Sequence, residues 1–170
     1  GRLVGIHGSP AAEKVAIVDP TSGRVTDCKS ELSNFSHISV HDNQVFAIGG
    51  GAKVPAAIVE FSATAAATAT TLIDVELPVA ASYFPTARSV SFPSKNGRAV
   101  HAFISTATNP DFESDEKPPV IITAHGGPTG NTTGVAAIRR AFFTSRGFTV
   151  VDVDYGGSTG YGRAYRETLK

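Results

Sequence analysis

Pro118-Pro119-Val120-Ile121-Ile122-Thr123-Ala124-His125-Gly126-Gly127-Pro128 is the stretch on which the reading of this chain turns. Its apolar, β-branched centre, Val120 to Thr123, has the composition of a strand covered on both faces, and it empties into a polar, glycine-rich loop. Adjacent glycines remove the Cβ atoms that would keep a reacting oxygen away from backbone N–H groups. A buried strand that delivers such a loop is an arrangement for stabilising developing negative charge.

Downstream of this loop, Val135 to Arg146 carries Val135, Ile138 and Phe142 at helical spacing, with Gly147 where a C-terminal cap belongs. Phe148 to Asp154 then reads as a strand. Strand, loop, helix and strand in succession form a βαβ unit, which predicts parallel pairing. Ligands of such sheets bind beyond the carboxyl ends of the strands, the edge from which the loops 125–134 and 155–162 emerge. Upstream, Ser89 to Phe92 and Arg98 to Ile104 flank Pro93-Ser94-Lys95-Asn96-Gly97, in which Asn-Gly signals a hairpin. Residues 105–117 read as a polar loop.

Residues 1 to about 85 have a different texture. Short β-type runs recur: Arg2 to His7, Lys14 to Val18, Arg24 to Cys28, His37 to Val40, Gln44 to Ile48, Ala56 to Phe61 and Thr70 to Val75. Asp19-Pro20-Thr21-Ser22-Gly23, Asp42-Asn43 and Gly49-Gly50-Gly51 punctuate them as turns. Such a pattern suits a sandwich, a barrel or propeller blades alike. The Ala/Thr tract from Ala63 to Thr71 reads as an exposed hairpin or loose loop.

The bulk numbers narrow the class. With 170 residues, 41% hydrophobic and 18% charged, the chain has the balance of a globular protein rather than a disordered one. Fifteen basic and fifteen acidic residues cancel, so nothing points to a nucleic-acid partner, and no apolar run approaches the ~20 residues of a membrane span. Cys28 is alone, which excludes an internal disulfide framework and a paired-cysteine metal site; a reducing, cytoplasmic setting is the preference. Asn34-Phe35-Ser36 and Asn131-Thr132-Thr133 are short glycosylation-type sequons expected to arise by chance. The chain contains no methionine, and an internal fragment is the expectation.

Several residue types invite a catalytic reading. In α/β-hydrolases a His-Gly-Gly loop after the third strand donates one N–H of the oxyanion hole, and the Ser, Asp or Glu, and His of the triad follow it in that order. No Gly-x-Ser-x-Gly elbow occurs here, Gly156-Gly157-Ser158-Thr159-Gly160 having the wrong spacing, and no histidine follows Pro128. Nucleophile and base are therefore absent from these residues. His7, His37, His41 and His101 are dispersed on strand candidates without a second ligand at metal spacing. Asp152 and Asp154 stand at i and i+2 on one strand, and Arg139, Arg140 and Arg146 are expected on the solvated face of the helix. The second glycine loop, Gly157 to Gly162, lacks the order of a phosphate cradle.

Three ordered motifs complete the reading: His125-Gly126-Gly127-Pro128-Thr129-Gly130, Phe143-Thr144-Ser145-Arg146-Gly147-Phe148, and Asp152-Val153-Asp154-Tyr155-Gly156-Gly157-Ser158-Thr159-Gly160-Tyr161-Gly162-Arg163-Ala164-Tyr165-Arg166. The chain resembles the prolyl oligopeptidase family of serine peptidases, in its dipeptidyl-peptidase and acylaminoacyl-peptidase-like branch, densely over 118–168 and more weakly over 88–117. The resemblance implies an α/β class with two parts. Residues 1–85 would be the all-β end of a β-propeller, and residues 86–170 the start of an α/β-hydrolase domain, truncated before the nucleophile.

By the same resemblance the parent is a serine-type peptidase that cleaves short peptides through an acyl-enzyme, with a Ser-Asp-His triad and neither metal nor cofactor. Gly127 would donate the oxyanion-hole N–H, and His125 and Gly126 would support the loop. The family's related branches place a tyrosine where His125 stands, so no phenolic donor is expected at that position. Asp152 and Asp154 would be structural, and Tyr155 and Tyr161 would line the pocket. A carboxylesterase or lipase-like hydrolase is the enzymatic alternative. A non-catalytic β-rich interaction module is the alternative of another class.

Overall fold

The computed structural model describes residues 1–63, 68–73, 75–127 and 129–169. The described residues form three sheets with few helices. The first is antiparallel and consists of β1 (Leu3–His7), β2 (Lys14–Val18) and β3 (Val25–Asp27). The second is a meander of β4 (Asn34–His41), β5 (Gln44–Gly51), β6 (Val54–Ser62) and the short edge strand β7 (Thr70–Thr71).

Period-2 alternation explains why these runs become strands and where their core lies. Val45, Ala47, Val59 and Phe61 project from β5 and β6 onto Val15 and Ile17 of β2, with Cys28 and Phe35 completing one buried cluster between the two sheets. Phe35 meets Phe61 edge-on at 5.8 Å between ring centroids. Each such buried side chain contributes roughly 1.5–3 kcal/mol. The predicted turn forms as its residues dictate: Asp19 Oδ1 accepts the N–H of Thr21 at 2.8 Å, and Gly23 N–H closes onto Asp19 O at 2.8 Å.

The third sheet has the order β10-β11-β9-β8, where β8 is Arg88–Pro93, β9 Ala99–Ser105, β10 Val120–Ala124 and β11 Thr149–Asp154. β8 and β9 form the hairpin expected around Asn96-Gly97, Ser94 N–H donating to Arg98 O at 2.7 Å. β10 and β11 pair in parallel, Val120 opposite Thr149 and Ala124 opposite Val153, across the helix α1 (Ile138–Thr144). A second helix, α2 (Arg163–Arg166), follows the second glycine loop. No helix among the described residues is long and apolar enough to cross a membrane.

Three expectations change. The strand expected over Thr70–Val75 is confined to Thr70–Thr71 and one further bond, Leu72 N–H to Ile58 O, at the sheet edge; residue 74 lies outside the described residues, as do residues 64–67 of the Ala/Thr tract. The helix expected from Val135 begins only at Ile138, because the preceding segment is held extended: Ala136 N–H donates to Gly51 O at 2.8 Å and the Arg140 guanidinium takes the carbonyls of Thr133 and Val135. Finally, β10 is not covered on both faces. It lies at the sheet edge with Val120 56% and Ile122 72% exposed, and no described residue packs over that face.

The β-rich first half and the third sheet touch through close backbone approaches. Gly50 of β5 lies against Val135, where an added Cβ would stand 2.7 Å from Val135 Cγ1. Pro10, in the turn between β1 and β2, is fully buried against Gly160. Gly160 has φ of +87°, and a Cβ there would fall 2.4 Å from Pro10 Cγ, so both conformation and space require glycine.

Gly160→Ala should therefore destabilise the chain by about 2–4 kcal/mol, combining left-handed strain with overpacking. Gly23, with φ of +71° but nothing near its Cβ, carries the strain alone, and Gly23→Ala should cost about 1 kcal/mol. Urea denaturation of the two variants checks the difference; equal losses would mean that Pro10 yields without cost.

Candidate active site

The parallel pair delivers two glycine loops side by side. His125 follows Ala124 at the end of β10, and Tyr155 follows Asp154 at the end of β11, so the two rings stack at 4.5 Å between centroids and 19° between planes. The His125 side chain is 10% exposed. Its Nδ1 lies 2.7 Å from Gly126 O and its Nε2 lies 2.7 Å from Ser158 Oγ, which is also 2.7 Å from Tyr155 O.

A serine within hydrogen-bond reach of a histidine has the outline of a nucleophile and its base. Burial decides against it. Ser158 has no exposed surface, and its hydroxyl is engaged by the Tyr155 carbonyl, so no substrate carbonyl can reach Oγ. The pair ties the two glycine loops together.

Gly127 sits exposed at the tip, and among the described residues its N–H has no acceptor. Glycine is required by a close approach: a Cβ at 127 would stand 2.5 Å from the Tyr155 hydroxyl. That hydroxyl donates to His125 O at 3.2 Å. A phenol thus reaches the loop from β11, while position 125 itself carries an imidazole. Pro128 lies outside the described residues. Beyond it, Gly130 O accepts Thr159 N–H at 2.8 Å and Asn131 Oδ1 accepts the Thr159 hydroxyl at 3.0 Å, so the second loop braces the first.

Underneath lie two carboxylates that the period of β11 places on one face. Asp154, wholly buried, accepts Thr132 N–H at 2.7 Å and the Thr132 hydroxyl at 3.0 Å on Oδ1, which is 3.8 Å from His125 Nε2. Its Oδ2 accepts the Tyr161 hydroxyl at 2.6 Å, and its carbonyl accepts that of Tyr165 at 2.7 Å. Burial, and next the bond to Asp154, raise the Tyr161 phenol far above its ordinary value, which keeps it a donor at any physiological pH. His101 stacks on Tyr161 at 3.9 Å, and desolvation lowers its pKa against the opposing charge of Asp154.

Asp152 is held differently. Arg140 Nε and Nη2 each approach its Oδ2 at 3.1 Å, Thr123 donates its hydroxyl to Oδ1, and the exposed Arg139 stands at 3.5 Å. Arg140 is thereby turned inward, with a side chain 11% exposed, contrary to the solvated position expected for it. Helical periodicity could not reveal this, because the partner lies on another element. Arg146 does lie outside, over the Phe142 ring at 3.7 Å.

Asp154 serves the loop that precedes it as well as the one that follows, because the pairing of β10 with β11 brings Thr132 within reach. His7, by contrast, pairs with Asp27 at 2.8 Å far from this site, and no metal-binding cluster of His, Cys, Asp and Glu occurs among the described residues.

Removing Arg140 would strand a carboxylate that is only 3% exposed. Arg140→Ala should cost about 3–5 kcal/mol. Arg139→Ala, at a position 65% exposed, should cost about 1 kcal/mol or less. Denaturant titration of both variants tests the distinction, and a small loss for Arg140→Ala would show that Asp152 finds another donor.

No protein-family model matches the chain. An 80-residue stretch, 46% of this chain and 11% of the relative, is 36% identical to dipeptidyl-peptidase 5 of Schizosaccharomyces pombe. Over 99% of its length the chain superposes on a puromycin-hydrolysing peptidase of Mycobacterium tuberculosis, with a TM-score of 0.88 and 37% identity, covering 26% of that protein. Puromycin hydrolase gives a TM-score of 0.93 at 36% identity over 100% of this chain and 26% of that one. A prolyl endopeptidase at 19% identity, with a TM-score of 0.66, shares the fold. The chain spans about a quarter of the length of these solved structures. Taken with the three ordered motifs around the paired glycine loops, these likenesses fit the prolyl oligopeptidase family of peptidases.

Proposed function

We propose that this chain is the junction of a longer serine peptidase: residues 1–85 the closing part of a β-propeller and residues 86–170 the opening of an α/β-hydrolase domain. Its contribution to catalysis is the oxyanion loop. The observation that carries the reading is Gly127, an exposed residue whose N–H has no acceptor among the described residues, at the carboxyl end of a strand paired in parallel. The likeness of the whole chain to two puromycin-cleaving enzymes supports it.

In the complete polypeptide a serine oxygen, supplied from outside these residues, attacks the scissile carbonyl of a short peptide. A histidine takes the serine proton and passes it to the leaving amine; water then cleaves the acyl-enzyme by the same route. At each step charge builds on the carbonyl oxygen. Gly127 N–H meets it, a donor of this kind being worth about 3–4 kcal/mol, while His125 and Gly126 hold the backbone that aims it. No metal or cofactor takes part in the step.

The longer polypeptide should release p-nitroaniline from aminoacyl anilides and lose that activity to a serine-directed fluorophosphonate, whereas residues 1–170 alone should release none. Gly127→Ala, which forces the Tyr155 hydroxyl and the loop apart, should lower kcat by about 100-fold with little change in KM. A longer polypeptide that cleaves p-nitrophenyl esters but no anilide would assign the loop to an esterase instead.

A further inference from the structure

A loop that offers a backbone donor works only if its two flanks are fixed, since a displacement of about 1 Å at the reacting atoms costs about 100-fold in rate. One oxygen lies between the two flanks, bonded to one and near the other. Asp154 Oδ1 accepts Thr132 N–H at 2.7 Å and the Thr132 hydroxyl at 3.0 Å on the far side of Gly127, and stands 3.8 Å from His125 Nε2 on the near side. Its second oxygen is occupied by Tyr161 at 2.6 Å, which keeps the carboxylate from rotating away.

The geometry points to Asp154 as a positioning residue of the oxyanion loop, bracketing Gly127 between His125 and Thr132. This rests on the peptidase reading above for its catalytic consequence, though not for its structural one. Asp154 never meets the substrate: it has no exposed surface. Its neighbour Asp152 serves the segment after the loop, through Arg140 and the carbonyls of Thr133 and Val135, and does not contact either flank of Gly127.

The chemistry of the contacts separates position from charge. An asparagine at 154 keeps an acceptor oxygen for Thr132 and turns its NH2 towards Tyr161, whose hydroxyl can accept as well as donate. Alanine removes both.

The test compares Asp154→Ala and Asp154→Asn in the longer polypeptide by anilide kinetics and by amide hydrogen exchange. Asp154→Ala should lower kcat about 30- to 100-fold with KM within about threefold, and speed exchange across residues 125–132 while β9 and β11 stay protected. Asp154→Asn should restore kcat to within about threefold and restore the protection. Unchanged exchange at 125–132 in Asp154→Ala would overturn the inference, and so would equal losses of kcat in both variants without loop deprotection, since those would mark a role of charge. If the wild-type polypeptide cleaves no anilide, the peptidase reading falls, and the exchange comparison alone decides between a bracketed and an independent loop. Should Asp154→Ala fail to fold, Thr132→Val removes one of the two Thr132 donors; faster exchange at 125–132 supports the bracket, and none overturns it.

Discussion

A carboxylate with no surface in contact with water must be surrounded by donors, and Asp154 imposes that condition on everything near it. To meet it, the first glycine loop folds back far enough to present Thr132, and the second presents Tyr161. Tyr161 in turn lies flat on His101 of β9, and Tyr165, bonded to the Asp154 carbonyl, anchors the short helix that follows. Two residues earlier, Asp152 makes the same demand and draws Arg140 inward, while Arg139 beside it faces solvent. Loops, helix start and aromatic cluster all follow from satisfying one face of one strand.

The β-rich first half reaches the same loops from the other side. Pro10 is seated on Gly160 and Gly50 on Val135, so the second glycine loop and the segment before α1 rest on the β1–β2 turn and on β5. Contacts of this closeness leave no room for a side chain. They make the arrangement of the loops a joint property of both halves, although each half has a buried centre of its own.

Much of this was legible in the sequence, and the parts that were not share a cause. The strands of the first half, the Asn96-Gly97 hairpin and the parallel pairing across α1 all come from local signals: alternation, turn residues and a periodic apolar stripe. The shortened helix does not, because the carbonyls of Thr133 and Val135 are taken by a guanidinium whose own partner is on β11. Likewise, no periodicity announces that Tyr155 will lay its hydroxyl beside Gly127, or that Asp154 will serve a loop lying before it in sequence. In β10 a continuous apolar run indicates a strand suited to burial, yet Val120 and Ile122 stay exposed, because coverage of a face depends on residues distant in sequence.

The Thr132–Asp154 bond spans 22 residues and runs against the direction of synthesis. The loop that carries Gly127 leaves the ribosome before either carboxylate that orders its surroundings. Its bonds to Asp154 exist only once β11 lies beside β10 and supplies the acceptors from behind. A chain that ends before Asp154 therefore carries the glycine motif without the acceptors that hold Thr132 in the folded protein.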